Sequence, residues 1–346
     1  MVWNLLVFLT ICSFEVSCAY EEPTPPIKDR TIILYLIANN NLESQGKILI
    51  NEIEDFIIKE DNDSFNLVII YRDRESIKLL SNGNQRLMLR KEYGNMNSLS
   101  KNQMTEIISD ICKTFPAKEI GIAFWSHGTG WLPTGNNATR SFGDDYGESI
   151  DIYDLADSLS IKFDYIIFDA CYMGGIEVAS ELLNSSKYYI ASPTAVPTMG
   201  IIDTTSISIL MQDCSLPDRL VRLCKHFYET KNFPIALIDL EQLDNLISTI
   251  SLLKLDYNSF SVDDITKYEF RINDIFFDIY SLFKKINDCN VLLSLNRALL
   301  FPQNIEDDCY VSIFIPTKEN KSYWNNYYTT SWNLQTGWLN KWQCYP

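Results

Sequence analysis

Five short runs of almost unbroken apolar residues, separated by segments that repeat at helical spacing, constrain this chain more than any other feature. TIILYLIANN (31–40), FNLVIIYRDR (65–74), IGIAFW (120–125), DYIIFDA (164–170) and KYYIAS (187–192) are rich in β-branched and aromatic residues and too short to be buried helices. Between the first two, LESQGKILINEIEDFIIKE (42–60) sets Ile48, Ile53, Phe56 and Ile57 on one helical face. SLSKNQMTEIISDICKTF (98–115) and DIYDLADSLS (151–160) are amphipathic in the same way. Strands apolar on both sides, alternating with such helices, predict an α/β fold: a largely parallel sheet with helices on both faces, an α/β/α sandwich. RLMLRKEY (86–93) is more polar and reads as an edge strand.

The pattern continues with the strand NFPIALIDL (232–240), helical runs at 241–254 and 263–287, and a late strand CYVSIFIP (309–316). The tail from Ser322 is dense in Trp and Tyr, which predicts packing of a terminal segment rather than a ligand platform. The expected organisation is a leader (1–19), a linker (20–30), a core (31–230) and a mainly helical C-terminal subdomain (231–346) packed on that core. LPTGNNATRSFGDDYGES (132–149), rich in Gly, Asn, Ser and Asp, reads as a long exposed loop within the core.

Residues 2–14 are apolar but too few to anchor across a bilayer, the pattern of an export signal. Small residues at Ser17–Ala19 suit a signal peptidase, and Cys18 suits acylation, so the expected product is secreted, periplasmic or lipid-anchored at the outer surface; an N-terminal strand or helix of the fold is the alternative. The formal charge is −16, with 45 acidic and 29 basic residues. Such a chain lacks the positive field that nucleic acid and anionic lipid demand, so no nucleic-acid partner is expected, and membrane contact only through a lipid on Cys18. Nine cysteines include no CxxC pair, which makes a zinc site unexpected, and only two histidines, His127 and His226, are present to supply an imidazole.

In a parallel sheet, ligands sit beyond the carboxyl ends of the strands. SHGTGW (126–131), DACYMGG (169–175) and PTAVPTMGI (193–201) all follow strands and therefore share that rim. Cys171 stands where a strand gives way to a helix, and helix-end amides there favour thiolate and can receive an oxyanion. His127 lies 44 residues upstream, between a strand and glycines that permit close approach, placed to act as a general acid toward a leaving amine. His226, in a helical context, reads as structural.

FWSHGTGW (124–131) and FDACYMGGIEVASEL (168–182) resemble the paired signature of the clostripain family of cysteine peptidases, which share the caspase and haemoglobinase fold. TIILYLIANNNLE (31–43), YYIASPTAVPTMGI (188–201) and DIFFDIYSL (274–282) extend the likeness over most of residues 30–316. The resemblance implies a caspase-like fold, Cys171 as nucleophile, His127 as its partner, and the backbone amides of Gly128 and Cys171 as oxyanion donors. It further implies Asp169 in the pocket that receives a P1 Arg or Lys, a reading compatible with a turn or cap role. Ser192 and Thr194 are the expected substrate contacts on the following strand end. Self-processing after a basic residue in the intervening loop maps to Arg140–Ser141 and would leave light and heavy chains associated. No cofactor is required. Calcium, needed by some relatives, would find Asp144, Asp145, Glu148 and Asp151, whose spacing matches no established loop motif. Tyr172 departs from the more familiar Leu and is expected to reshape the floor of the site. The expected activity is an endopeptidase acting on peptide or protein substrates with basic P1. The alternatives are an inactive peptide-binding homologue and a same-fold peptidase directed at Asn or Asp.

Overall fold

Each of the five apolar runs is a strand, and within each the side chains alternate between two cores. On the first strand, β1 (Lys28–Ile37), Ile33, Tyr35 and Ile37 enter one core while Ile32, Leu34 and Leu36 enter the other. The computed structural model describes residues 25–59, 64–132, 141–198, 200–256, 260–270, 274–302, 305 and 307–342. After β1 come α1 (Glu43–Lys59), β2 (Phe65–Arg72), β3 (Ile77–Gly83), β4 (Arg86–Glu92), α2 (Lys101–Thr114), β5 (Ala117–Trp125), β6 (Phe142–Asp145) and β7 (Glu148–Ile150). Next are α3 (Ile152–Ser158), β8 (Phe163–Asp169), α4 (Ile176–Glu181), β9 (Ser186–Ala191), α5 (Thr204–Met211) and α6 (Leu216–Lys231). The C-terminal third adds β10 (Ala236–Asp239), α7 (Leu240–Ser251), β11 (Lys267–Tyr268), β12 (Phe276–Asp278), α8 (Ile279–Ile286), α9 (Cys289–Ala298), β13 (Leu299–Phe301) and β14 (Ser312–Ile313). Three short helices, α10 (Trp324–Tyr327), α11 (Ser331–Thr336) and α12 (Trp338–Trp342), close the described chain.

Nine strands form one sheet in the order β13-β10-β9-β8-β5-β1-β2-β3-β4. The five central strands, β9 to β2 in that order, are mutually parallel, with antiparallel pairs added at both edges. One row, Val68–Ile33–Ile122–Ile166–Tyr189, crosses all five in register and is buried on a single face. Burial stabilises each such aliphatic side chain by about 1.5–3 kcal/mol, which pins the register. Helices α1, α5 and α6 cover the other face; α2, α3, α4, α7 and the C-terminal aromatic tail cover this one. Ser100 caps α2 at the Gln103 amide, and Ser215 caps α6 at the Asp218 amide with Pro217 in the first turn. The tail packs as expected, with Tyr327, Trp332, Trp338 and Trp342 buried.

Four local readings of the sequence differ from the structure. On α1 the core face is Leu49, Ile53 and Ile57, while Ile48 is 54% exposed. Steps of four residues drift little around a helix, whereas the five-residue step from Ile48 to Ile53 does not return to the same face. IKLLSNG (77–83), unassigned from the sequence, is the strand β3. The stretch 263–287 is not a single helix, because β11 and β12 precede α8 and pair with β14 in a second sheet. The expected exposed loop is, from Ser141 to Asp145, a buried segment that opens the β6–β7 hairpin. Phe142 there packs between Phe124 and Phe168, and Asp145 reaches the Arg72 guanidinium, contacts that local composition does not encode.

Candidate active site

The chain leaves β1 for β2 on one side and returns as β5 on the other, so the sheet reverses direction of winding between β1 and β5. A crevice opens beyond the carboxyl ends at such a point. A cavity of about 360 Å³ lies there, lined by Asn41 after β1, His127 after β5, Asp169 and Cys171 at the end of β8, and Val196 and Thr198 after β9, with further residues around them. A larger cavity of about 570 Å³, against Tyr228, Phe301 and Tyr310, contains none of these residues.

His127 is held through its backbone and its ring. Its carbonyl accepts from Gly143 N at 2.8 Å, and Thr129 N donates to Ser141 O at 2.9 Å, so the loop after β5 pairs with the start of the β6–β7 hairpin. Nε2 lies 2.6 Å from Asn41 Oδ1. Gly128 meets the cysteine loop directly: a Cβ there would lie 2.6 Å from the Cys171 carbonyl oxygen and 3.2 Å from Ala170 Cβ. Only glycine lets the two loops touch.

Cys171 lies in the six-residue connection 170–175, whose last residue, Gly175, is the N-cap of the six-residue α4. It is therefore too far from the helix end to gain the thiolate stabilisation expected from the sequence. Burial pushes its thiol up, opposed by the Val196 amide, which donates to Sγ at 3.3 Å. Burial thus works against the thiolate that the strand-to-helix position was expected to favour. The loop is braced from both sides: Tyr172 N donates to Thr194 O at 2.9 Å, Gly174 N to Ser192 O at 2.7 Å, and Ser312 N of β14 to Gly174 O at 2.8 Å. Tyr172 has φ 60°, and its ring stacks on Phe276 at 5.5 Å and meets Phe270 edge-on at 4.9 Å. The aromatic residue thus joins the Cys171 loop to the small C-terminal sheet.

Asp169 is buried at 3% exposure, with Oδ2 accepting from the Ile201 and Ile202 amides at 2.7 and 2.8 Å. Burial pushes its carboxyl up to about 7, the two amides opposing the rise. Asp169 also lines the cavity. Gly200, at φ 60°, is the residue that lets the chain pass Asp169, since a Cβ there would collide with the carboxylate.

The sequence profile of the clostripain family matches residues 34–323, most of the chain. The chain belongs to the clostripain family of cysteine peptidases. Solved structures agree on the fold. A secreted C11 cysteine protease from Bacteroides thetaiotaomicron, in complex with an irreversible peptide inhibitor, superposes with a TM-score of 0.77 at 22% identity, covering 90% of this chain and 99% of its own. An inactive zymogen C11 protease from Parabacteroides distasonis gives 0.76 at 23% identity, with 90% and 99% covered. A B. fragilis cysteine protease gives 0.51 at 19% identity, covering 57% of this chain and 98% of its own. A search of curated proteins finds no match.

Within this clostripain-family fold the other expected site residues are placed as follows. Ser192 is fully buried and Thr194 is partly so, and neither lines the cavity; their carbonyls instead hold the Cys171 loop. Ser141 is buried, with Oγ donating to Gly130 O and accepting from Ile152 N, both at 3.1 Å, while Arg140 lies outside the described residues. The acidic stretch does not fit a calcium cage. Both Asp145 oxygens are engaged by Arg72 Nε, one also by Ser98 and the other by Asn39, and Asp144 Oδ1 accepts from Gly147 N. Among the described residues no cluster of three His, Cys, Asp or Glu side chains is arranged to hold a metal. His226 sits 3.9 Å from Asp203, outside the cavity. All six described cysteines are free thiols. Asn41 is the cavity residue that sequence reasoning passed over; the run Asn39-Asn40-Asn41 after a buried strand was its visible trace.

Proposed function

We propose that this protein is an exported cysteine endopeptidase that cleaves after Arg or Lys. Cys171 is the nucleophile, His127 the proton carrier and Asp169 the anchor for the P1 side chain. The observation that carries this reading is the convergence of the three on one cavity at the carboxyl edge of the sheet. A guanidinium or ammonium entering the cavity pairs with the Asp169 carboxylate. Burial disfavours the thiolate, so His127 accepts the thiol proton as Sγ attacks the scissile carbonyl carbon, and the Cys171 and Gly128 amides receive the oxyanion. The C–N bond then breaks, and His127 delivers the proton to the leaving nitrogen. Water adds to the thioester, its proton passing through His127 to sulfur, and the carboxylic acid product departs.

Self-processing at Arg140–Ser141, with the two chains remaining associated, belongs to the same reading. It is supported by the zymogen state described for the P. distasonis relative. Export is supported by the apolar segment at residues 2–14 and by the secreted B. thetaiotaomicron relative.

Wild type and Cys171→Ala, assayed on fluorogenic peptides ending in Arg, Lys, Asn or Asp and weighed intact under denaturing conditions, test this reading. Wild type should cleave the Arg and Lys peptides and split at Arg140–Ser141, and the variant should do neither. Cleavage of the Asn or Asp peptides instead would overturn the P1 assignment. A wild type as inert as the variant would mark a peptide-binding homologue.

A further inference from the structure

Beyond β1 and Ala38 come three consecutive asparagines, and each reaches a different partner. Asn39 Nδ2 donates to the Asp145 carboxylate. Asn40 Nδ2 donates to the Asp144 carbonyl at 2.7 Å, while its Oδ1 accepts from Leu42 N at 2.8 Å. These two contacts fasten the end of β1 to the β6–β7 hairpin, the same hairpin whose Gly143 amide holds the His127 carbonyl. The third, Asn41, is thereby carried to the rim of the cavity with Oδ1 2.6 Å from His127 Nε2. An amide oxygen only accepts, so Nε2 must carry the proton in this contact. In a neutral imidazole, the other nitrogen, Nδ1, is then the one able to exchange a proton with sulfur or with a leaving nitrogen.

We propose that Asn41 is a positioning residue that fixes the tautomer and orientation of His127, making Nδ1 the nitrogen that works in catalysis. The proposal rests on the reading of His127 as the proton carrier. Asn41 comes from the opposite side of the crevice to the nucleophile loop, and so it holds the ring independently of that loop. A substituted amide at this position leaves the P1 anchor untouched, because Asp169 is held by the Ile201 and Ile202 amides. Among the described residues, the ionisable groups on the elements around the ring include Cys171 and Asp169 from the end of β8, Asp144 and the Arg72–Asp145 pair at the hairpin, and Glu43 at the head of α1, itself paired with Lys47 and Arg74.

Asn41→Ala, Asn41→Asp and His127→Ala, assayed over a range of pH on an Arg peptide, separate the possibilities. Asn41→Ala should lower kcat by about tenfold to a hundredfold, reaching at most the lower end of a whole general acid–base contribution, with KM nearly unchanged. Asn41→Asp keeps an acceptor and adds a charge that favours imidazolium. It should recover most of kcat and move the limb of the profile set by the imidazole to higher pH. Equal losses in both variants with a raised KM and an unmoved limb would make Asn41 a substrate contact and overturn the proposal. Retained activity in His127→Ala would overturn the reading it rests on instead.

A second readout needs no turnover. The sequence has two histidines, so nitrogen-15 spectra of Cys171→Ala resolve both rings. His127 should be the Nε2–H tautomer in that protein and a mixture once Asn41→Ala is added. An Nδ1–H tautomer with Asn41 present sinks the idea.

Discussion

Asp169 sets the charge of the cavity, and its protonation should be visible in the kinetics. Burial raises its carboxyl to about 7, so it is neutral below that pH and anionic above it. A P1 cation meets its counter-charge only in the anionic form. KM for Arg peptides should therefore rise as pH falls through about 7, a dependence that a neutral-P1 peptide would lack. Asn at position 169 (Asp169→Asn) should abolish that dependence and lower kcat/KM for Arg peptides by about a hundredfold, the scale of removing one member of a buried charge pair. A pH-independent KM in wild type would show that Asp169 does not meet the substrate. That Cys171 and His127 meet at one cavity was legible in the sequence, because each follows a buried strand whose carboxyl end lies on the same rim. Asn41 was not. Asparagine after a strand is an ordinary turn residue, and its partner lies 86 positions away.

The β6–β7 hairpin is the element that local composition misrepresents most. Gly, Asp and Ser make it look exposed, yet Asp145 accepts from Arg72 Nε at 3.1 and 3.2 Å and from Ser98 N and Oγ at 2.6 and 2.7 Å, with both ion-pair side chains 2% exposed. The decisive contact joins residues 73 positions apart, beyond the reach of any sequence window. Asp145→Ala leaves the guanidinium buried without its carboxylate and should destabilise the protein by about 3–5 kcal/mol, read from the midpoint of urea unfolding. Adding Arg72→Met should restore much of that loss, since the unpaired charge is then gone. If Asp145→Ala unfolds like wild type, the hairpin is not anchored by this pair. The central strands were legible because a strand with two buried faces needs an unbroken apolar run. β3 was missed because every other position of IKLLSNG is only half-buried, so the run is short and interrupted.

At the scale of the whole molecule, the division of the sheet follows the chain. Every strand before the loop between His127 and Cys171 lies on one side, β5-β1-β2-β3-β4, and the rest of the sheet, β13-β10-β9-β8, lies on the other. The boundary is the single β5–β8 interface, with His127 and Asn41 on one bank and Cys171 and Asp169 on the other. After a cut at Arg140–Ser141 neither piece contains a working centre, and each would bare a long apolar edge strand if separated. Unfolded and diluted, the uncut chain should recover at a rate independent of concentration. The cut protein should recover more slowly as it is diluted, and a rate insensitive to dilution would show that no cut at this place divides the sheet. Maturation on this plan turns one polypeptide into an obligate two-part machine: whatever separates the parts inactivates it, and neither part can be active alone.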